Sequence, residues 1–270
     1  MDIIQACIKA LEELKAKKPL VHNITNYVTV NDCANIIAAI GGSPIMADEL
    51  LEMEDMVSIA SCLVINMGTL NERTVASMLK AGKKANDLGI PVVFDPVGAG
   101  AVPYRNETAV KLMQEIKFAV IRGNMSEIKF LSGLSVRTKG VDSVADETGG
   151  VEAAKSFAAK MKCVAAVTGK TDIITDGDRV CLIDNGHPIL TAVSGTGCMT
   201  SALVGTFCGA VEDYFVAAAA GVLAMGLSGE LAQKTLKEDE GVGTFRMRLF
   251  DKIYHLKGET IEKKGRMKIV

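Results

Sequence analysis

Tryptophan is absent from this chain, and aromatic residues together make up only 4% of it. Base stacking and cages for quaternary ammonium groups need aromatic faces, so small residues must shape any pocket here. Excess charge is missing as well. The formal net charge is −2, with Lys and Arg spread along the chain, which leaves no electrostatic footprint for nucleic acid. Paired cysteines are also lacking: Cys7, Cys33, Cys62, Cys163, Cys181, Cys198 and Cys208 are odd in number and show no CxxC spacing. That scatter fits neither a disulfide framework nor a zinc site, and reduced thiols in a cytoplasmic protein are expected. The opening MDIIQACIKALEELKAKK has apolar positions at helical spacing but not the positive start and apolar run of a signal peptide.

Long apolar runs are interrupted too. Residues 199–229 come nearest to a membrane span, but Glu212 and Asp213 split them, and each half falls short of the roughly 20 apolar residues a span needs. Two buried Ala/Gly-rich helices are expected instead, with no membrane partner. The basic C-terminal residues Lys257, Lys263, Lys264 and Lys268 read as a solvated tail.

What is present is an alternation. Apolar runs at Ser61–Asn66, Pro91–Asp95, Phe118–Arg122 and Cys163–Thr168 read as strands. Helical patterns at Asn71–Leu88, Glu107–Glu115, from Ser126, and at Gly150–Met161 lie between them. Strands alternating with helices predict an α/β fold with a mainly parallel sheet covered on both faces. Asp172–Thr175 and Arg179–Ile183, separated by Asp176-Gly177-Asp178, predict an antiparallel hairpin at one edge. After Gly197 the pattern is helical: Cys198–Ala210, Tyr214–Lys234 and Gly243–Lys257. With no repeat or long polar linker, residues 1–270 are expected to form one domain.

In such sheets ligands bind at the carboxyl ends of the strands. Those ends here read Asn66-Met67-Gly68, Asp95-Pro96-Val97-Gly98, Arg122-Gly123-Asn124 and Thr168-Gly169-Lys170. Each joins a polar residue to a nearby glycine. A βα turn needs glycine anyway, so the weight lies in four such ends occurring in phase.

Ser194-Gly195-Thr196-Gly197-Cys198 then leads into a helix. Two glycines and two hydroxyls before a helix N-terminus make an anion site of open N–H groups favoured by the helix dipole. Preorganised donors of this kind stabilise a phosphoryl group in transfer. A plain cap, with Ser194 or Thr196 serving the first N–H groups, is the other reading. A Walker A loop is excluded: Thr168-Gly169-Lys170-Thr171 has Val164 where the motif needs glycine. The dinucleotide fingerprint fails too, since Gly98-Ala99-Gly100-Ala101 runs into Val102-Pro103. Phosphoryl transfer calls for Mg²⁺, for which Asp95 and Glu127 are the acidic candidates; Arg122 suits a phosphate. Asp95 as a turn cap, Glu127 as a first-turn helix residue and Arg122 in a buried ion pair are the structural alternatives.

His22-Asn23-Ile24-Thr25-Asn26, Gly41-Gly42-Ser43-Pro44-Ile45-Met46, Asp95-Pro96-Val97-Gly98-Ala99, Arg122-Gly123-Asn124-x-Ser126-Glu127 and Ser194-Gly195-Thr196-Gly197-Cys198 occur in this order. Together they resemble the hydroxyethylthiazole kinase family, over nearly the full length. The resemblance implies a ribokinase-like three-layer α/β/α fold. It also implies phosphorylation of 4-methyl-5-(2-hydroxyethyl)thiazole at its primary hydroxyl by ATP with Mg²⁺, in a homotrimer with sites between subunits. Carried over by position, Met46 and Gly195 contact the thiazole, and Asn26 lies in the same substrate segment. Arg122 and Thr168 contact ATP, Asp95 and Glu127 serve the metal, and Gly195, Thr196, Gly197 and Cys198 form the anion hole. A flexible methionine suits a neutral sulfur heterocycle.

One position departs from the wider superfamily, which places an aspartate base where this chain has Cys198. Either the thiol is acidified by the helix N-terminus and takes the proton, or it only shapes the hole. His22 beside Asn23 is expected to hold the N-terminal segment by hydrogen bonds. A pyrimidine or pyridoxal kinase, a hydrate-repair enzyme and a non-catalytic nucleotide sensor are the competing readings. The HNITN segment with Met46 disfavours the first three, and a complete set of transfer residues disfavours the last.

Overall fold

The computed structural model describes residues 2–133 and 147–270. Helix α1 (Ile3–Lys17) starts at Asp2, whose carboxylate accepts from the N–H groups of Ile4 and Gln5 and so satisfies donors the first turn leaves open. Strand β1 (Leu20–Ile24), α2 (Val30–Ile40), β2 (Ser43–Ile45) and α3 (Met53–Ser58) follow. Next come β3 (Cys62–Asn66), α4 (Glu72–Asp87), β4 (Val92–Asp95), α5 (Pro103–Glu115), β5 (Val120–Asn124), α6 (Met125–Leu131), α7 (Glu147–Met161) and β6 (Val164–Thr168). The start of α4 agrees with the sequence pattern because Asn71 and Thr74 cap it reciprocally. Helix α5 starts earlier than the pattern indicates, at Pro103, whose fixed φ suits a first helical position.

Strands β7 (Asp172–Thr175) and β8 (Val180–Ile183) form the expected antiparallel hairpin. Helices α8 (Thr196–Cys208), α9 (Tyr214–Gln233), α10 (Val242–Tyr254) and α11 (Gly258–Lys264) come next, and β9 (Met267–Ile269) ends the chain. The C-terminus therefore corrects the wholly helical expectation. Lys257, Lys263, Lys264 and Lys268 are exposed, but the segment is no free tail: β9 pairs antiparallel with β8. Arg266, just before β9, ion-pairs with Glu230 of α9. Three residues are too few to show a period-2 pattern; the open edge of β8 specifies this strand.

Among the described residues nine strands form one sheet, in the order β2-β1-β3-β4-β5-β6-β7-β8-β9. Pairing is parallel from β2 to β6 and antiparallel from β6 to β9. Successive strand residues point to opposite faces, and each face is covered. Val21, Val64, Val93, Val120 and Ala166 pack under α1, α2, α8, α9 and α10. Leu63, Ile65, Phe94, Ile121 and Ala165 pack under α3, α4, α5, α6 and α7. Burial on both faces is why these strands read as unbroken apolar runs. The result is a three-layer α/β/α architecture.

The two Ala/Gly-rich helices at residues 199–229 are real. Helix α9 is long and apolar enough to cross a bilayer, yet almost all of it is buried inside the protein. Glycine lets its axis approach α8: a Cβ on Gly221 would lie 2.7 Å from the Cα of Val204. Gly221→Ala should therefore destabilise the fold by about 1–3 kcal/mol in chemical denaturation. Gly243→Ala, inside the first turn of α10 where a Cβ meets open space, should lose no stability against the parent. Equal midpoints for the two variants would mean that α8 and α9 are not in tight contact.

Candidate active site

The carboxyl ends of β3 and β4 lie side by side, with Asn66 registered against Asp95. Those of β5 and β6 do the same, with Asn124 against Thr168. Helix α8 brings its N-terminus onto this row. Gly195 precedes it with φ of 90°, a left-handed conformation that glycine adopts without penalty. A side chain there would also collide with Thr29.

No side chain caps α8. The hydroxyl of Thr196, a possible cap in the sequence, instead donates to the carbonyls of Leu190 and Val193 at 3.0 and 3.4 Å. The first N–H groups of the helix thus keep the anion-binding capacity expected of them. Arg122 supplies the neighbouring positive charge. A Cβ on Gly197 would lie 2.8 Å from Arg122 Nη1, so the guanidinium rests against the turn that opens α8. Its Nη2 donates to Thr168 Oγ1 at 2.6 Å, and Nη1 stands 3.7 Å from Asp95 Oδ2. Arg122 Nε is buried without a partner.

Asp95 is 1% exposed. Its Oδ2 accepts from Asn66 Nδ2 at 2.9 Å and from Ser201 Oγ at 2.7 Å, while Oδ1 is buried with no partner. Burial pushes the carboxyl above its ordinary range, against the pull of Arg122 and of the two donors. Glu127 has the first-turn role its position implied. It forms a capping box with Asn124, and its two oxygens accept from the N–H groups of Asn124 and Gly98 at 2.8 and 2.9 Å. Burial, and then the charge of Asp95, raise the Glu127 carboxyl as well. Two buried carboxylates that disfavour each other's charge would be relieved by a cation.

Asn26, just beyond β1, joins the HNITN segment to this group. It is 3% exposed, and its Nδ2 lies 2.9 Å from Asn66 Oδ1 and 3.3 Å from Cys198 Sγ. The Cys198 thiol is raised above its ordinary range, chiefly by burial and next by the charge of Asp95; hydrogen bonds from Asn26, Asn66 and Thr29 counter this only in part. Burial and Asp95 thus oppose the acidification that a helix N-terminus favours.

Met46 stands one strand further out, just after β2, half-buried against the layer that contains α8. His22 holds that segment through Nε2, 2.9 Å from the carbonyl of Ala47; burial keeps the ring neutral. His187 caps the turn at Pro188–Ala192 through Nδ1. Thr168-Gly169-Lys170-Thr171 is the β6–β7 turn, where Gly169 N–H donates to Asp172. Asp95, Arg122, Thr168, Asn26, Gly197 and Cys198 are thus drawn together, with Glu127 beside them. Ser201 and Thr29 were not singled out in the sequence. Ser201 sits in an apolar run, one helical turn beyond Cys198, and that spacing was its only signal.

The model of the hydroxyethylthiazole kinase family matches residues 11–259. A curated hydroxyethylthiazole kinase from Clostridium beijerinckii is 56% identical over 263 residues, 96% of this chain and 95% of that protein. One from Alkaliphilus oremlandii is 50% identical over 99% of each. The solved hydroxyethylthiazole kinase protein of Pyrococcus horikoshii superposes with a TM-score of 0.88 at 34% identity, covering 98% of this chain and 99% of that one. A ribokinase-like superfamily protein from Enterococcus faecalis, 13% identical over 88% of each chain, has a TM-score of 0.63. The pyridoxal kinase of Staphylococcus aureus, 15% identical over 94% of this chain and 98% of that one, also scores 0.63. Those two likenesses show the ribokinase-like fold.

Cys198 is half-buried, whereas the other six thiols are buried. Iodoacetamide should therefore label Cys198 first, slowly at neutral pH and faster as pH rises beyond the ordinary thiol range. A labelling rate already at its plateau at pH 7 would mean a thiolate.

Proposed function

The chain belongs to the hydroxyethylthiazole kinase family, and from that premise we propose that it transfers the γ-phosphoryl group of ATP to the primary hydroxyl of 4-methyl-5-(2-hydroxyethyl)thiazole, a step of thiamin salvage. One observation carries the assignment of the transfer site: the uncapped N-terminus of α8 with the Arg122 guanidinium against Gly197. The N–H groups from Gly195 to Cys198 receive the transferred phosphoryl group. Arg122 neutralises it from the side, and Thr168 orients Arg122 while meeting the nucleotide. Donors fixed in place before reaction need no reorganisation when charge develops.

Met46 and Gly195 bind the thiazole, with Asn26 behind them. Cys198 keeps its proton and shapes the hole. A loose phosphoryl-transfer transition state demands little nucleophile activation, so positioning of the hydroxyl suffices and its proton leaves with the phosphoryl oxygens.

Asp95 and Glu127 fit Mg²⁺. The partnerless Asp95 Oδ1 points to a missing ligand, and no cluster of three metal-ligating side chains is found among the described residues. A two-carboxylate set suits a cation that keeps several waters and draws further ligands from phosphates. When bound, Mg²⁺ neutralises phosphate charge. We further take residues 1–270 as one cytoplasmic kinase domain that assembles as a homotrimer with sites between subunits. Exposed Tyr27, Val28 and Leu51, close in sequence to Asn26 and Met46, support an interface there.

With ATP, Mg²⁺ and the thiazole alcohol the protein should form ADP; turnover of a pyrimidine alcohol alone would overturn the substrate. Cys198→Ala should retain measurable activity, and complete loss with folding and ATP binding intact would instead make the sulfur obligatory. Arg122→Ala should raise the KM for ATP about 10- to 100-fold, the worth of charge-assisted hydrogen bonds. An unchanged KM would remove Arg122 from the nucleotide site.

A further inference from the structure

The strand ends carrying the substrate segment and the acidic group are joined by side chains, and one buried amide makes the join. We propose that Asn66 is a positioning residue for the transfer, tying the thiazole-side pair Asn26–Cys198 to the carboxylate of Asp95 in one hydrogen-bonded chain of fixed direction. The inference rests on the kinase reading of this site and adds a residue to which that reading gives no role.

Both ends of the Asn66 amide are dictated by their neighbours. The N–H of Gly68 donates to Oδ1 at 2.8 Å, so that atom is the oxygen. The other end lies 2.9 Å from Asp95 Oδ2, an acceptor, so that atom is the nitrogen. The oxygen has a second lone pair, and Asn26 Nδ2 donates to it at 2.9 Å. Asn26 is fixed in turn, because its own oxygen accepts from the N–H and the hydroxyl of Thr29, each at 3.1 Å. Its nitrogen must therefore face Asn66 and Cys198 Sγ, 3.3 Å away. The sulfur receives a donor, so the thiol proton is turned away from Asn26.

At 2% exposure Asn66 lies beneath the site. It acts through Asn26 and Asp95 and through the Cys198 thiol, which it also meets. Ser201 offers an internal comparison. Its hydroxyl donates to the same Asp95 oxygen, but it has no recorded bond to Asn26 or Cys198. Loss of Ser201 disturbs one end of the chain, whereas loss of Asn66 leaves Asn26 Nδ2 with Cys198 alone, strands the N–H of Gly68 and takes one donor from Asp95 as well. Stranded buried donors are the costly kind of lost hydrogen bond.

The test compares the parent with Asn66→Ala, the similarly branched but apolar Asn66→Leu and Ser201→Ala. Three quantities are read: calorimetric affinity for the thiazole alcohol without nucleotide or metal, steady-state kcat and KM, and thermal midpoint. Both Asn66 variants should weaken binding of the thiazole alcohol about tenfold or more and lower kcat about 100-fold, the scale of a misplaced reacting group. Ser201→Ala should lower kcat while keeping the thiazole affinity within about twofold. Asn66→Leu keeps the branched shape and leaves no cavity, so it answers the question if the alanine variant folds poorly. The proposal is overturned if an Asn66 variant that folds binds the thiazole alcohol like the parent. It is equally overturned if all three variants lose affinity in step with their thermal midpoints. If the parent turns over a different alcohol, the substrate reading fails, and the same comparison on that alcohol still decides the role of Asn66.

Discussion

The carboxylate of Asp95 sits at the end of β4 with almost no access to water, and the arrangement around it follows from that burial. A buried charge is tolerated only with partners. Here they come from three directions: Asn66 from the neighbouring strand, Ser201 from α8 and Arg122 from β5. Because Ser201 lies on α8, its bond to Asp95 also pins the helix whose N-terminus faces the strand ends. The group that gathers these partners is thus the one that seats the glycine-rich turn at Gly195–Cys198.

Arg122 shows how tightly the parts are shared. One guanidinium lies near Asp95, donates to Thr168 and rests against Gly197. Neither a larger residue at 197 nor a displaced β6 would leave that geometry intact. The parallel part of the sheet matters for the same reason. Six neighbouring parallel strands, β2, β1 and β3 to β6, bring their carboxyl ends to one side. The switch to antiparallel pairing at β6 makes Thr168 the last of the polar ends in that row.

Much of this is legible in the chain itself. Continuous apolar runs specify strands buried on both faces, and Asn71 and Asp176-Gly177-Asp178 mark a helix start and a hairpin turn by local chemistry alone. The polar strand ends and the glycine-rich turn point to the site because glycine and polar residues recur in phase. What the chain hides is tertiary. Ser201 looks like one more small residue in a buried helix until the fold carries it to Asp95. Whether the Cys198 thiol is acidified by the helix N-terminus or only lines the turn is open in the sequence; the fold surrounds it with burial and a neighbouring carboxylate, which raise it above its ordinary range. Strand β9 has no pattern of its own and exists because β8 offers an edge.

The claim on which the account turns is that the N-terminus of α8 receives the transferred phosphoryl group. A crystal structure with the thiazole alcohol and a non-hydrolysable ATP analogue tests it directly. The terminal phosphate should lie within hydrogen-bond distance of the N–H groups of Gly197 and Cys198, with Arg122 on the same phosphate. A terminal phosphate held instead by the Gly169-Lys170 turn would contradict the account.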